Sequence, residues 1–285
     1  MRSWSYLTNS AVKQCLRRGQ HCPSCGCAKS SVVDRKWLVT ALRRCADCSL
    51  LFRAPTTTKE ENQSFYQQDY QEGFTTQLPS DRELAALLQA GFAGHERDYT
   101  VYLDVLQALA IPPAARLLDF GCSWGYGSHQ LSQAGYTVDA CEISRPRADF
   151  ARDKLGVNVR ELATLPDRTY DVFFSAHVIE HVPSVREMID LGLRLLRPNG
   201  LLVAFTPNQS EARRARVPQL WHRQWGFVHP QLLDERFLDR LPHPSVFGST
   251  SPYALDQIRS WKGVGKQMGA MDGDELLLVI RKEAS

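Results

Sequence analysis

From about residue 81 onward, short apolar runs alternate with longer stretches in which apolar residues recur every three or four positions. The run Arg116–Phe120 is apolar almost throughout, as expected of a strand with both sheet faces covered. A glycine-rich turn, Gly121–Gly127, leads into a helix over about Tyr126 to Ala134, and Tyr136–Cys141 forms the next strand. The rhythm then repeats. A helix over Ser144–Leu155 is ended by Gly156, Val157–Arg160 is a strand, Leu162–Arg168 a loop and Tyr170–Ser175 a strand. Val185–Leu196 is a helix with an exit turn at Pro198–Gly200, followed by a strand at Leu201–Phe205. Ahead of this core, Asp81–Leu109 is helical in two pieces, and Pro112-Pro113 stops the second. Behind it, a short helix over Ser251–Trp261 and strands at Lys266–Ala270 and Glu275–Arg281 complete the count. Strands separated by helices at this spacing predict an α/β fold, doubly wound around a seven-stranded, mostly parallel sheet.

The pattern also divides the chain. Residues 1–54 form a small cysteine-rich module, and residues 55–80 are a polar, turn-rich linker or lid with one aromatic piece, Phe65-Tyr66 to Tyr70. Residues 81–285 form the α/β domain, interrupted at 209–250 by a long irregular insertion on the expected substrate side. A chain of 285 residues, 43% hydrophobic and 23% charged, has the length and composition for one such domain plus an accessory module. The net charge of +3 is too mild to demand nucleic acid or a membrane surface. No apolar run approaches the roughly 18 residues of a membrane span, and the first residues lack a signal-type apolar core. A cytoplasmic protein is expected, and nothing in the pattern fixes an oligomeric state.

Cysteine use changes the picture more. Five of the eight cysteines lie between Cys22 and Cys48. Cys22-x-x-Cys25 and Cys45-x-x-Cys48 are two knuckles nineteen residues apart, a spacing that closes a tetrahedral structural zinc site in a zinc-ribbon-like module. Trp37-Leu38-Val39 and Ala41-Leu42 read as its short strands, and Cys27 or His21 are alternative ligands.

The turn after the first core strand carries the candidate chemistry. A dinucleotide site wants G-x-G-x-x-G, whereas here the spacing is G-x-x-x-G-x-G and Asp119 stands two residues before the first glycine. A carboxylate there repels a diphosphate and suits a cofactor bearing an ammonium and a sulfonium, while Glu142, ending the next strand, suits ribose hydroxyls. D-F-G-C-S-W-G-Y-G, E-I-S, Y-D-V-F-F-S-A-H-V-I-E-H-V and L-L-R-P-N-G-L-L-V-A-F-T-P-N, taken in order, resemble the successive motifs of class I S-adenosylmethionine-dependent methyltransferases. The resemblance is strong over about Arg116 to Asn208. It implies the Rossmann-like methyltransferase fold and cofactor contacts from Asp119, Gly121, Cys122, Ser123, Gly125, Glu142, Ile143 and His177. Ser123 stands where the family usually has a glycine.

Three readings suit His177-Val-Ile-Glu180-His181, at the carboxyl edge of the fourth strand. His181 or His177 is a general base, imidazole being suited by a pKa near operating pH. Alternatively His177, Glu180 and His181 are part of a divalent-metal site completed by His222, His229 or His243, or the pair Glu180-His181 braces the next helix and the pocket. That pair resembles one in ubiquinone-pathway and small-RNA 2′-O-methyltransferases, which place glutamate at the position of His177. In the insertion, Trp225, His229 and Arg213 are candidate substrate contacts. The expected acceptor is a small hydroxylated, sugar-like or secondary-metabolite molecule. The alternatives are an RNA methyltransferase gripping phosphates with the zinc ribbon and Arg213–Arg216, and a non-catalytic cofactor-binding interaction module.

Overall fold

The computed structural model describes residues 2–65, 67, 77–249 and 253–284. The aromatic positions Tyr66 and Tyr70, and Ser251 and Pro252 at the expected start of the last helix, lie outside the described residues. Helix α1 (Arg2–Cys15) precedes a three-strand meander of β1 (Ser30–Lys36), β2 (Thr40–Cys45) and β3 (Leu51–Ala54). Trp37-Leu38-Val39, expected as a strand, is instead the turn between β1 and β2, with Lys36 paired to Thr40 across it. Helices α2 (Lys59–Ser64), α3 (Asp81–Gln89) and α4 (Thr100–Ala108) follow. Thr58 and Ser80 each cap a helix reciprocally with a glutamate three residues on, so two donors at each helix start are satisfied.

The alternating core is β4 (Arg116–Phe120), α5 (Tyr126–Gln133), β5 (Thr137–Cys141), α6 (Arg145–Leu155), β6 (Asn158–Val159), β7 (Tyr170–Ala176), α7 (Val185–Leu195) and β8 (Leu196–Pro207). Helix α6 has proline in its first turn and left-handed Gly156 (φ +65°) at its end, the asymmetry that the chain advertises in sequence. Helix α7 buries Val185, Met188, Ile189, Gly192 and Leu195, one face at helical spacing, against the sheet. Phe173 and Phe174 of β7 are fully buried on opposite faces, in two different clusters, which is why that strand reads as continuous apolar sequence.

After β8 come α8 (Glu211–Arg216), α9 (Pro218–Gln224), β9 (Gln231–Leu232), α10 (Glu235–Asp239), β10 (Ser245–Gly248), α11 (Leu255–Ser260), β11 (Lys266–Met268) and β12 (Glu275–Arg281). The main sheet runs β11-β10-β12-β8-β7-β4-β5-β6, parallel from β8 to β6, with β12 antiparallel to both neighbours. It therefore has eight strands rather than the expected seven. The extra one is β10, inside the stretch read as irregular: a four-residue run bounded by Pro244 and Ser249 is too short to show a period. β11 then becomes an edge addition parallel to β10.

β9 joins the other sheet, ordered β1-β2-β3-β9, through Leu51↔Leu232 and Phe52↔Gln231. Leu42, Leu51, Trp221, Trp225 and Leu232 share one buried cluster, and Arg44 pairs at 2.6 Å with the fully buried Asp234. The cysteine-rich module and the 209–250 insertion are thus packed as one body. Among the described residues no helix is long and apolar enough to cross a membrane.

Candidate active site

The strand order reverses at β4, whose neighbours β7 and β5 receive crossovers in opposite directions, and a crevice at the carboxyl ends of strands opens at such a point. A cavity of about 570 Å³ lies there. Phe120, Gly121, Ser123, Glu142 and Ile143 line it from the β4 and β5 ends, His177, Val178 and His181 from the loop after β7, and Asn62 and Gln67 from the 55–80 segment. That segment is tied to both walls, since Asn62 Nδ2 donates to the His181 carbonyl (2.9 Å) and Gln67 Nε2 to that of Ile143 (2.5 Å).

Gly121 must be glycine twice over. Its φ is +84°, and a Cβ would come within 2.4 Å of Val178 Cγ2. Ser123, replacing the usual glycine, also adopts left-handed backbone (φ +53°). Its N–H donates to Glu142 Oε2 (2.9 Å), and its buried Oγ has no hydrogen-bond partner. The other Glu142 oxygen accepts from Ser144 N–H (2.7 Å). Burial pushes the Glu142 carboxyl up, against the backbone donor of Ser144 that holds it down. Asp119, Cys122 and Gly125 stand behind the cavity wall instead of lining it. Asp119 is 2% exposed, accepts from Ser128 Oγ (2.6 Å), and is pushed by burial, with a smaller push from Glu142, up to about 6.

Beyond the cavity the polar cluster is richer than the sequence implied. His177 sits in left-handed backbone (φ +55°) with Nε2 2.6 Å from Glu275 and Nδ1 3.6 Å from Glu180. Burial pulls its pKa down, but the two carboxylates outweigh that and push it up to about 10. An imidazole kept protonated between two carboxylates does not abstract protons, which counts against His177 as the base. Glu275 also accepts from the hydroxyls of Tyr102 (2.9 Å) and Tyr253 (2.6 Å). None of these three was singled out as a site residue. The available signal was Glu275 itself, a carboxylate followed by five apolar residues in the strand ELLLVIR, at the end paired with Pro207 of β8.

His181 is the contrasting imidazole. Its Nδ1 donates to the Val228 carbonyl (2.7 Å), which leaves Nε2 as the unprotonated nitrogen, and burial draws its pKa down to about 4. His229, whose Nδ1 donates to the Gln224 carbonyl (2.9 Å), has its ring centroid 4.7 Å from that of His181, tilted by 56°. Ligand atoms of Glu180, His181 and His229 lie within 4.8 Å of one another, and Glu180 Oε1 is buried without a hydrogen-bond partner.

The other substrate candidates go elsewhere. Trp225 is 1% exposed, donates from Nε1 to Asp34 (2.8 Å) and packs on the small sheet with Leu42, Leu51, Trp221 and Leu232, and it is not among the residues that line the cavity. Arg213 is buried beside Asp274 (3.4 Å), and Arg216 binds the same carboxylate (2.9 Å). Arg214 lies over the Trp221 ring and donates to the Val33 carbonyl. Arg213 is buried, Arg214 is half-buried, and Arg216 is exposed on the exposed Asp274, so the three do not present one exposed cluster of guanidinium groups.

Outside the cavity the four knuckle cysteines converge, their sulfurs all within 4.8 Å, with Cys22 and Cys48 3.6 Å apart and Cys25 and Cys45 3.4 Å apart. Cys27 faces the Lys29 backbone instead.

A model of the methyltransferase domain matches residues 93–243, more than half of the chain. The chain belongs to the methyltransferase-domain family. A ubiquinone biosynthesis O-methyltransferase of Xanthomonas campestris pv. campestris (strain B100) is 30% identical over 154 residues, 47% of this chain and 64% of that protein. A 2-methyl-6-phytyl-1,4-hydroquinone methyltransferase of Synechocystis is 28% identical over 149 residues, 47% of this chain and 46% of that protein. The chain thus spans less than two thirds of these relatives' length. Among solved structures, a geranyl diphosphate C-methyltransferase of Streptomyces coelicolor A3(2) aligns over 79% of this chain and 98% of its own, with a TM-score of 0.49 and 14% identity.

Proposed function

We propose that the protein is an S-adenosylmethionine-dependent methyltransferase acting on a small hydroxylated acceptor, a reading supported by relatives named for O-methylation in ubiquinone biosynthesis and for a hydroquinone. One observation carries this reading: Glu142, the unpartnered Ser123 hydroxyl and His181 all border the same cavity at the strand-order reversal. The fit to the cofactor rests on chemistry. Glu142 offers a carboxylate for a ribose diol, Ser123 Oγ offers an unspent donor and acceptor, and the left-handed Gly121 keeps the wall free of a side chain. When bound, the cofactor supplies the methyl group as an electrophile.

The residues of the chain do the rest. Asn62 and Gln67 close the cavity from the 55–80 segment and limit the access of water. His181 takes the acceptor's hydroxyl proton at Nε2, its other nitrogen being held by Val228. His177, fixed between Glu180 and Glu275, is a positioning cation at the edge of the cavity. A second reading is favoured by the convergence of three ligand groups, with Glu180 Oε1 making no hydrogen bond and lying 3.7 Å from His181 Nε2: a divalent cation held by Glu180, His181 and His229 would acidify the same hydroxyl. The four cysteines hold a structural zinc, for which a set of four soft thiolates suits the metal. Such a site needs a reducing compartment, and the cytoplasm is the one this reading assigns.

The test is transfer of labelled methyl to a dihydroxylated ring acceptor. His181→Ala is expected to cut kcat by about 10²–10⁴-fold with cofactor affinity unchanged. An unchanged rate would leave His181 a brace for the pocket and remove it from the chemistry. Elemental analysis separates the two readings, because only a bound second metal predicts a cation lost in Glu180→Gln.

A further inference from the structure

The turn between β1 and β2 carries the wrong residues for a turn. Trp37 (φ +54°) and Leu38 (φ +59°) are consecutive left-handed positions, where glycine or asparagine sits without strain and a bulky apolar side chain does not. Nor does packing account for them, because Trp37 is 70% and Leu38 91% exposed. Two large apolar side chains are thus projected into solvent from a strained tip whose backbone would be easier to form without them.

The surroundings are basic. Arg35 and Arg223 are exposed, and neither is in an ion pair among the described residues. Lys36 Nζ lies 3.4 Å from the Arg223 carbonyl, which joins the tip to the end of α9. Leu220, one turn back on α9, is 47% exposed and borders a shallow recess with Val217, Pro218 and Arg223. The sequence has no Asp or Glu from 35 to 46, nor from 212 to 233. Asp34, the nearest acid, is turned inward onto His222 (2.6 Å) and Trp225 (2.8 Å). A mild net charge for the whole chain therefore conceals a local surface with apolar residues at its apex and cations around it.

We infer that the Trp37-Leu38 tip, ringed by Arg35, Lys36 and Arg223, docks on the surface of an anionic lipid bilayer. An indole and a leucyl side chain enter the interface, and the Arg35 and Arg223 guanidinium groups stay at headgroup level and pair with phosphates, while the Lys36 ammonium, held by the Arg223 and Trp225 carbonyls, adds its charge from behind. This goes beyond methyl transfer and stands without it.

Sedimentation of the 285-residue chain, purified with zinc present, with phosphatidylcholine vesicles, with and without one-third phosphatidylglycerol, tests the inference. Binding is expected to the anionic vesicles, with little to phosphatidylcholine alone. Trp37→Asn combined with Leu38→Gly is expected to weaken it at least about tenfold, as is Arg35→Glu combined with Arg223→Glu. The first pair installs residues that the turn prefers, so its thermal stability should be held or raised, and lost binding cannot then be blamed on unfolding. The inference is overturned by failure of the wild type to sediment with anionic vesicles, or by equal binding of the Asn–Gly variant. It is also overturned if the tip mediates only self-association in sedimentation velocity, or only RNA binding, with no retention by lipid.

Discussion

Among the described residues Asp119 is in no ion pair. Its neighbours are Ser128, which lowers its pKa, and Glu142, which raises it, and burial leaves it at about 6. A folded-state pKa above the unfolded one means that the native state binds the extra proton. Its contribution to stability is therefore full below the ordinary carboxylate range and is lost as pH rises through about 6. Asp119→Asn is expected to stabilise the cofactor-free protein at neutral pH by on the order of 2–3 kcal/mol, and to flatten the pH dependence between acid and neutral in denaturant melts. Gly121→Ala meets two obstacles, the left-handed backbone and the Val178 methyl 2.4 Å away. It is expected to cost about 1–3 kcal/mol and at least tenfold in cofactor affinity, read by thermal shift and by calorimetry. Gly121, Ser123, Glu142, Ile143, His177 and His181, singled out from sequence, line one cavity because the turn and strand ends that carry them are local signals, whereas Asp119, Cys122 and Gly125 stand behind its wall. The sense in which His177 titrates was not legible in sequence, because Glu275 reaches it from 98 residues away.

Among the elements, β9 has an influence beyond its two residues. It pairs with β3 on one side, and on the other Gln231 donates to the Val182 carbonyl and accepts from Val185 N–H. The strand therefore links the cysteine knuckles to the loop that carries His181. Removal of zinc with a chelator, or Cys45→Ser, is expected to lower the melting temperature, and transfer activity should fall with it even though the cysteines lie outside the cavity. Elemental analysis should find about one zinc per chain. Retained activity in a metal-free, folded protein would show that the knuckles do not support the site. The parallel core was legible because strand and helix periods alternate cleanly from Arg116 to Phe205. β9 and β10 were not, since runs of two and four residues carry no period and take their place from pairing partners distant in sequence. Trp225 misled for a related reason. An aromatic beside histidines looks like a pocket wall until the second sheet is seen to cover it.

At the scale of the whole molecule, a doubly wound sheet places one crevice at its order reversal, and a second sheet clamps the segment that bounds it. The methyltransferase-domain model matches residues 93–243, and the cysteine module outside that range pairs with the 209–250 insertion through β3 and β9. All of this depends on what fills the cavity. Isothermal titration of S-adenosylmethionine into the wild type and Glu142→Ala addresses that directly. Saturable binding is expected at about one molecule per chain, weakened about tenfold or more when the carboxylate is removed, and unchanged in His181→Ala. No heat of binding to the wild type, or equal affinity in Glu142→Ala, would contradict the assignment of this cavity to the methyl donor.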